Sequence, residues 1–187
     1  MRLAGTALER VAIALASLAL SGGLIALLSG FFAGRDQAGV GAGSAGIAVI
    51  GQAFPDLGHV HLRPGELRPV YNSEPPTSGA HIPEPVLRDG AMLDDNQLLQ
   101  ALEVGDVVIA YGTPLPPPGL AALARQLSEA FTPQLAASGQ AVLTMRRPHI
   151  AGLIGLAWGR MLRVSSPADP RLSQFAEQWL GHGAPGR

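Results

Sequence analysis

Apolar and polar positions divide the chain into four stretches with different patterns. Val11–Phe32 is an unbroken run of 22 residues without a charge. At about 1.5 Å per residue it spans roughly 33 Å, enough to cross a hydrocarbon core. It has no polar face, unlike a helix of a soluble core. It also exceeds the apolar region of a cleaved signal peptide, usually about 7–15 residues. The pattern predicts an uncleaved transmembrane anchor. The rival reading is a cleaved signal. Residues 33–48 are Gly- and Ala-rich with one charge pair, which predicts a flexible tether. Residues 51–92 lack sustained periodicity, because Pro and Gly interrupt every candidate helix.

From Asp94 onward the periodicity returns. Asp94 or Asp95 is placed to cap a short helix running through Glu103, with Leu98, Leu99 and Leu102 as its stripe and Gly105 as its stop. Asp106–Tyr111 (DVVIAY) predicts a buried strand central in its sheet. Leu120–Phe131 predicts an amphipathic helix, with Pro133 just beyond its end. Ala141–Met145 predicts a second strand and Arg146–His149 a turn. Leu153–Val164 predicts a third, long strand with Trp158-Gly159 in its middle, Gly159 marking a bulge or close packing. Asp169 caps the last helix and Pro170 takes its first position. Leu172, Phe175, Ala176, Trp179 and Leu180 supply its buried face. Residues 181–187 predict a frayed tail in which His182 takes no part.

The order is α-β-α-β-β-α, an α/β (α+β) domain over residues 49–180. Its β-α-β-β-α end fits a small mixed sheet covered by helices, of thioredoxin-like type or another α+β sandwich. In a thioredoxin-like sheet, Thr113–Pro118 would stand where a redox loop stands. The chain has no cysteine, which excludes disulfides, thiolate zinc sites and Cys-x-x-Cys chemistry by this chain. The formal charge of −1 gives no reason to expect nucleic acid as a partner. All 13 basic residues are arginine, a usage that reflects composition bias rather than function. Arg2 and Arg10 precede the apolar run. The positive-inside rule then orients residues 1–10 to the cytoplasm and the domain outside. Ser21-Gly22-Gly23 could pack a second membrane helix, although a single span needs none.

The candidate chemistry centres on Val70–His81, VYNSEPPTSGAH. Pro75 and Pro76 fix φ and remove two donors, and Glu74 is held extended. Gly79 can take positive φ, and Thr77 and Ser78 can bond their own turn. The stretch predicts a rigid irregular loop presenting His81. Tyr71 is expected to pack its ring and bond its hydroxyl. Ser78 near His81 invites a nucleophile–base reading, against which no third orienting group is identifiable. Trp158 and Tyr111 are expected in the core. Arg146 and Arg147 fall short of a lipid-binding cluster. His59 and His61 are two apart, so on a strand they share a face. Their alternatives are solvent exposure or a backbone bond.

With Leu98–Tyr111 and Ala157-Trp158-Gly159, this loop resembles the bacterial family catalogued as domain of unknown function 3105. The matching positions are Gly58, His61, Tyr71, Asn72, Pro75, Pro76, Thr77, Ser78, Gly79 and His81, then Leu102, Glu103, Gly105, Trp158 and Gly159. The resemblance implies a single-span protein of the bacterial cytoplasmic membrane with an exported domain, and no settled activity. It also implies two helix histidines four apart, which with the loop histidine could hold a metal. Gln100 and Val104 stand at those two positions here. Gln is a poor ligand for zinc or copper and Val is none. Glu103 is next to Val104, and one step along a helix is expected to turn it to another face.

The sequence therefore favours a non-catalytic extracytoplasmic domain, anchored in the bilayer and serving as an interaction or accessory subunit of a membrane complex. In that reading the Val70–His81 loop is structural and no cofactor is needed. The alternative is a zinc- or copper-binding protein with a reduced site at His59, His61 and His81. An enzyme would have to use His61, His81 and Glu103, with or without His59.

Overall fold

In the computed structural model the described residues are 49–187. The anchor expected at Val11–Phe32, the preceding residues 1–10 and the tether at 33–48 lie outside them. Among the described residues no helix is long and apolar enough to cross a membrane.

Five strands form one mixed sheet: β1 (Gln52–Ala53), β2 (Val107–Tyr111), β3 (Val142–Arg146), β4 (Leu153–Ala157) and β5 (Arg160–Val164). Their order is β1-β5-β4-β2-β3. Only β2 and β3 are parallel; the other pairs are antiparallel. Among the described residues four helices accompany them: α1 (Asp95–Val104), α2 (Leu120–Leu127), α3 (Pro133–Ala137) and α4 (Pro170–Trp179). The domain is mixed α+β, as the periodicity predicts.

Side-chain alternation sorts the core into two layers. Val108, Ala110, Leu143, Met145, Ile154 and Leu156 pack with Leu98, Leu99 and Leu102 of α1 and Ala136 of α3. Val107, Ile109, Leu153 and Val164 face the other way, onto Leu120 and Ala124 of α2 and Leu172, Phe175 and Ala176 of α4. A sheet covered on both faces explains why β2 is apolar at every position. β2 lies between β4 and β3, so it is interior but not the middle strand.

The capping residues act as expected. The Asp94 side chain accepts from the Gln97 N–H and Gln97 returns a bond to Asp94, while Gly105 ends α1 at φ 116°. Asp169 caps α4 with Pro170 in its first turn.

Three expectations are corrected. Leu153–Val164 is a hairpin and not one long strand. Ala157 pairs with Arg160, so Trp158 and Gly159 are its two-residue turn, with Gly159 at φ 65°. The helix expected over Leu120–Phe131 stops at Leu127. The Ser128 hydroxyl there accepts from the Val142 N–H at 3.0 Å, and the chain turns toward β3. Pro133 does not merely follow that helix: it opens α3, capped by Thr132. The order after the loop is therefore α-β-α-α-β-β-β-α.

Residues 181–187 are strapped down rather than frayed. The Gly181 N–H donates to Gly105 O at 2.8 Å and the Ala184 N–H to Glu103 O at 2.9 Å. A Cβ on Gly183 would overlap the Glu103 carbonyl, so the tail passes the end of α1 backbone against backbone.

Candidate metal centre

The Val70–His81 loop is built as a support. Residues Pro75–Gly79 are buried, and Thr77 and Ser78 are 0% exposed. Gly79 sits at φ 131°, and a Cβ there would lie 2.9 Å from the Tyr71 ring. Tyr71 packs in that place and its hydroxyl donates to Ala80 O at 3.0 Å. The Asn72 amide donates to Pro55 O at 2.7 Å. Ser73 and Thr77 hydroxyls meet at 3.2 Å. The Ser78 hydroxyl accepts from the Leu57 N–H at 3.1 Å and approaches Pro55 O at 3.4 Å. Ser78 is thus committed to backbone groups, which removes the nucleophile reading. The Gly159 N–H donates to Thr77 O at 2.9 Å, and Trp158 Nε1–H to Asp56 Oδ1 at 3.2 Å. These bonds fasten the loop to the β4–β5 turn. On its other side Arg147 pairs with Glu74 of the loop and, at 2.7 Å, with Asp95 of α1. Arg147 is therefore a clamp between segments, not a free solvated charge.

The rigid loop delivers His81 beside His61. The Leu62 N–H donates to His81 O at 2.8 Å and the His81 N–H to Val60 O at 3.1 Å, a parallel bridge that sets the two rings 5.5 Å apart. Glu103, only 2% exposed, reaches them from the last turn of α1. Its Oε2 lies 3.0 Å from His61 Nε2 and 3.2 Å from His81 Nε2. One ligand atom from each of the three residues falls within a 4.8 Å set. The expectation that Glu103 faces elsewhere is corrected. It lies three residues after Gln100, so the two share a helix face. That face meets His81, and the Glu103 carboxylate stands beside it where the family resemblance implies histidines at positions 100 and 104.

His81 is 0% exposed. Its Nδ1 lies 3.0 Å from Gly79 O and can reach it only as an N–H donor. That tautomer leaves Nε2 as a lone pair. Nε2 is buried without a hydrogen-bond partner, and so is Gln100 Oε1. The 3.2 Å approach to Glu103 is therefore a close contact and not a satisfied bond, because carboxylate oxygen and lone-pair nitrogen both accept. Burial lowers the His81 pKa, outweighing the Gly79 carbonyl, the Glu103 carboxylate and the Gln100 side chain, which raise it. Neutral imidazole, an adjacent carboxylate and a half-exposed second imidazole form a donor set suited to a borderline divalent cation. The Gly79 carbonyl fixes the orientation of the His81 ring through Nδ1–H.

His59 does not join. Its ring stands edge-on to Trp158 with centroids 6.4 Å apart. His182 lies against Trp179 at 6.3 Å. Trp158 and Tyr111 are core residues, as expected. The sequence reading missed the approach of Arg187, whose Nε is 3.8 Å from Glu103 Oε1. Nothing local in GHGAPGR signals that return.

A family model described as "Protein of unknown function (DUF3105)" matches residues 66–186. The matched span includes His81 and Glu103, and His61 lies just before it. No curated protein and no solved structure matches the chain.

Proposed function

The chain belongs to this family of proteins of unknown function, and we propose that it is a metal-binding domain, holding one zinc or copper ion on His61, His81 and Glu103. The observation that carries the reading is the convergence of His61, His81 and Glu103, whose ligand atoms lie within 4.8 Å of one another with His81 and Glu103 buried. A proton or a cation relieves the two acceptors His81 Nε2 and Glu103 Oε2, 3.2 Å apart. Burial disfavours the imidazolium, and a cation shared with half-exposed His61 would satisfy His81 Nε2 and replace the His61–Glu103 hydrogen bond. Two imidazoles and one carboxylate match the hardness of zinc or copper and leave a coordination position for an outside ligand. His59 is not in this set.

The scaffold supports a thioredoxin-like reading at the level of topology. Parallel β2 and β3, an antiparallel β4–β5 hairpin beyond β2, and helices on both sheet faces are its ingredients. In that reading the proline-rich loop at Thr113–Pro118 takes the redox loop's position, and the ion sits at the opposite end of β2.

A second reading concerns setting. The uncharged length of Val11–Phe32 supports a single-pass anchor in the bacterial cytoplasmic membrane, with this domain outside it. Val60 and Leu67 on the segment leading to the loop, and Val70 at the loop's start, are exposed at 65%, 93% and 95%. Exposed apolar side chains of this size favour contact with another subunit of a membrane complex.

The metal reading is tested by titrating zinc and copper separately into the full-length chain without a histidine tag. One ion per chain should bind with submicromolar affinity, and His81→Ala and Glu103→Ala should each abolish it. No stoichiometric uptake of either ion sinks the reading.

A further inference from the structure

A cavity of about 270 Å³ opens beside the His–Glu cluster, between α1 and α3. It lies just under the roughly 300–1,000 Å³ of ordinary small-ligand sites, so its occupant is small. Pro83, Val86, Val104, Pro133 and Ala136 give it a largely apolar wall. Gln100, Asp106 and Arg187 also line it.

The charges on that wall select the ligand. Asp106 is 1% exposed; its Oδ1 accepts from the Ala141 N–H at 2.8 Å and its Oδ2 has no partner. Burial pushes this carboxyl up to about 8, so it is mostly neutral at physiological pH. Arg187 is then the lining residue with a charged side chain. Its side chain is half exposed and only 3.8 Å from Glu103 Oε1, so it links the cavity to the cluster.

We propose that this cavity binds a small monocarboxylate with an apolar body, its carboxylate at Arg187 and its body along Val86, Val104 and Ala136. An ammonium ligand would meet a guanidinium and an uncharged Asp106. A pure hydrocarbon would leave the guanidinium unused. The inference rests on the metal reading in one respect: an ion on Glu103 offsets the carboxylate that otherwise competes for Arg187, and so tightens binding. The cavity and Arg187 do not depend on the ion.

The test uses hexanoate and hexylamine, similar in length and opposite in charge. Each is titrated calorimetrically into the full-length untagged chain, metal-free and with one equivalent of zinc, zinc content being measured independently. Hexanoate should bind once per chain, at least about tenfold tighter than hexylamine. Arg187→Gln, and Ala137→Phe at an exposed lining position, should each weaken it about tenfold without moving the melting temperature. Equal binding of the two probes, or hexanoate binding unchanged in both variants, would overturn the proposal. Zinc uptake without hexanoate binding overturns this inference alone. Hexanoate binding by a chain that takes up no zinc overturns the metal reading alone.

Discussion

His81 and Asp106 are both enclosed by the fold, and each leaves one polar atom without a partner. Their neighbours give them different chemistry. His81 faces a carboxylate and a second imidazole, which a shared cation can join. Asp106 faces an apolar cavity and a single backbone donor, so it answers burial by keeping its proton. Its pKa is raised from 3.8 in the unfolded chain to about 8 in the folded one. Between those values the folded chain holds a proton that the unfolded chain has released. The stabilisation is full below the lower value and is lost as pH rises through the upper one. Stability should therefore fall from about pH 4 to about pH 8. Asp106→Asn keeps the acceptor for Ala141 and removes the ionisation, so it should flatten that slope and stabilise most at the alkaline end. Denaturant titration at several pH values measures it. An unchanged slope in the variant would show that Asp106 does not titrate this way.

At the scale of elements, the loop, α1 and the β4–β5 turn act as one support. Gly79 is its tightest point, since φ 131° and a Tyr71 ring 2.9 Å from any added Cβ both exclude a side chain. Gly79→Val should cost about 1–3 kcal/mol in backbone strain, plus the displacement of Tyr71. In metal-free protein His81→Ala should cost less, because it also removes an unpartnered buried atom. Thermal melts of the two variants compare them, and the reverse order would mean that the loop is not built around Gly79. Much of this support was legible in sequence. The prolines, Gly79, the Asp94 cap, the Gly105 stop and the Asp169-Pro170 start each carry local backbone chemistry that reads without tertiary context. The hairpin was not legible, because Leu153–Val164 is apolar on both sides of Trp158 and the strand pattern runs through it. Only the positive φ of Gly159 makes the turn, and a bulge would use the same glycine. α3 was missed because proline both follows helices and opens them.

Across the whole molecule the site draws on four segments distant in sequence. His61 and His81 come from paired loops, Glu103 from the end of α1, and Arg187 from a tail held against Glu103 and Gly105. Sequence reading found the first three residues and set Glu103 aside on helix geometry. What it lacked was the angle at which α1 meets the loop, set by the packing of Leu98, Leu99 and Leu102 beneath the sheet. That packing turns the Glu103 face toward His81 and leaves Gln100 beside it with an unpartnered oxygen. The central claim is that this assembly exists to hold a cation. The most direct measurement is anomalous diffraction from crystals of the zinc-loaded, untagged chain, collected on both sides of the zinc edge. One peak should lie within about 2.0–2.2 Å of His61 Nε2, His81 Nε2 and a Glu103 carboxylate oxygen. Zinc-loaded crystals with no anomalous peak between these three side chains, and with His81 Nε2 still facing Glu103, would contradict it.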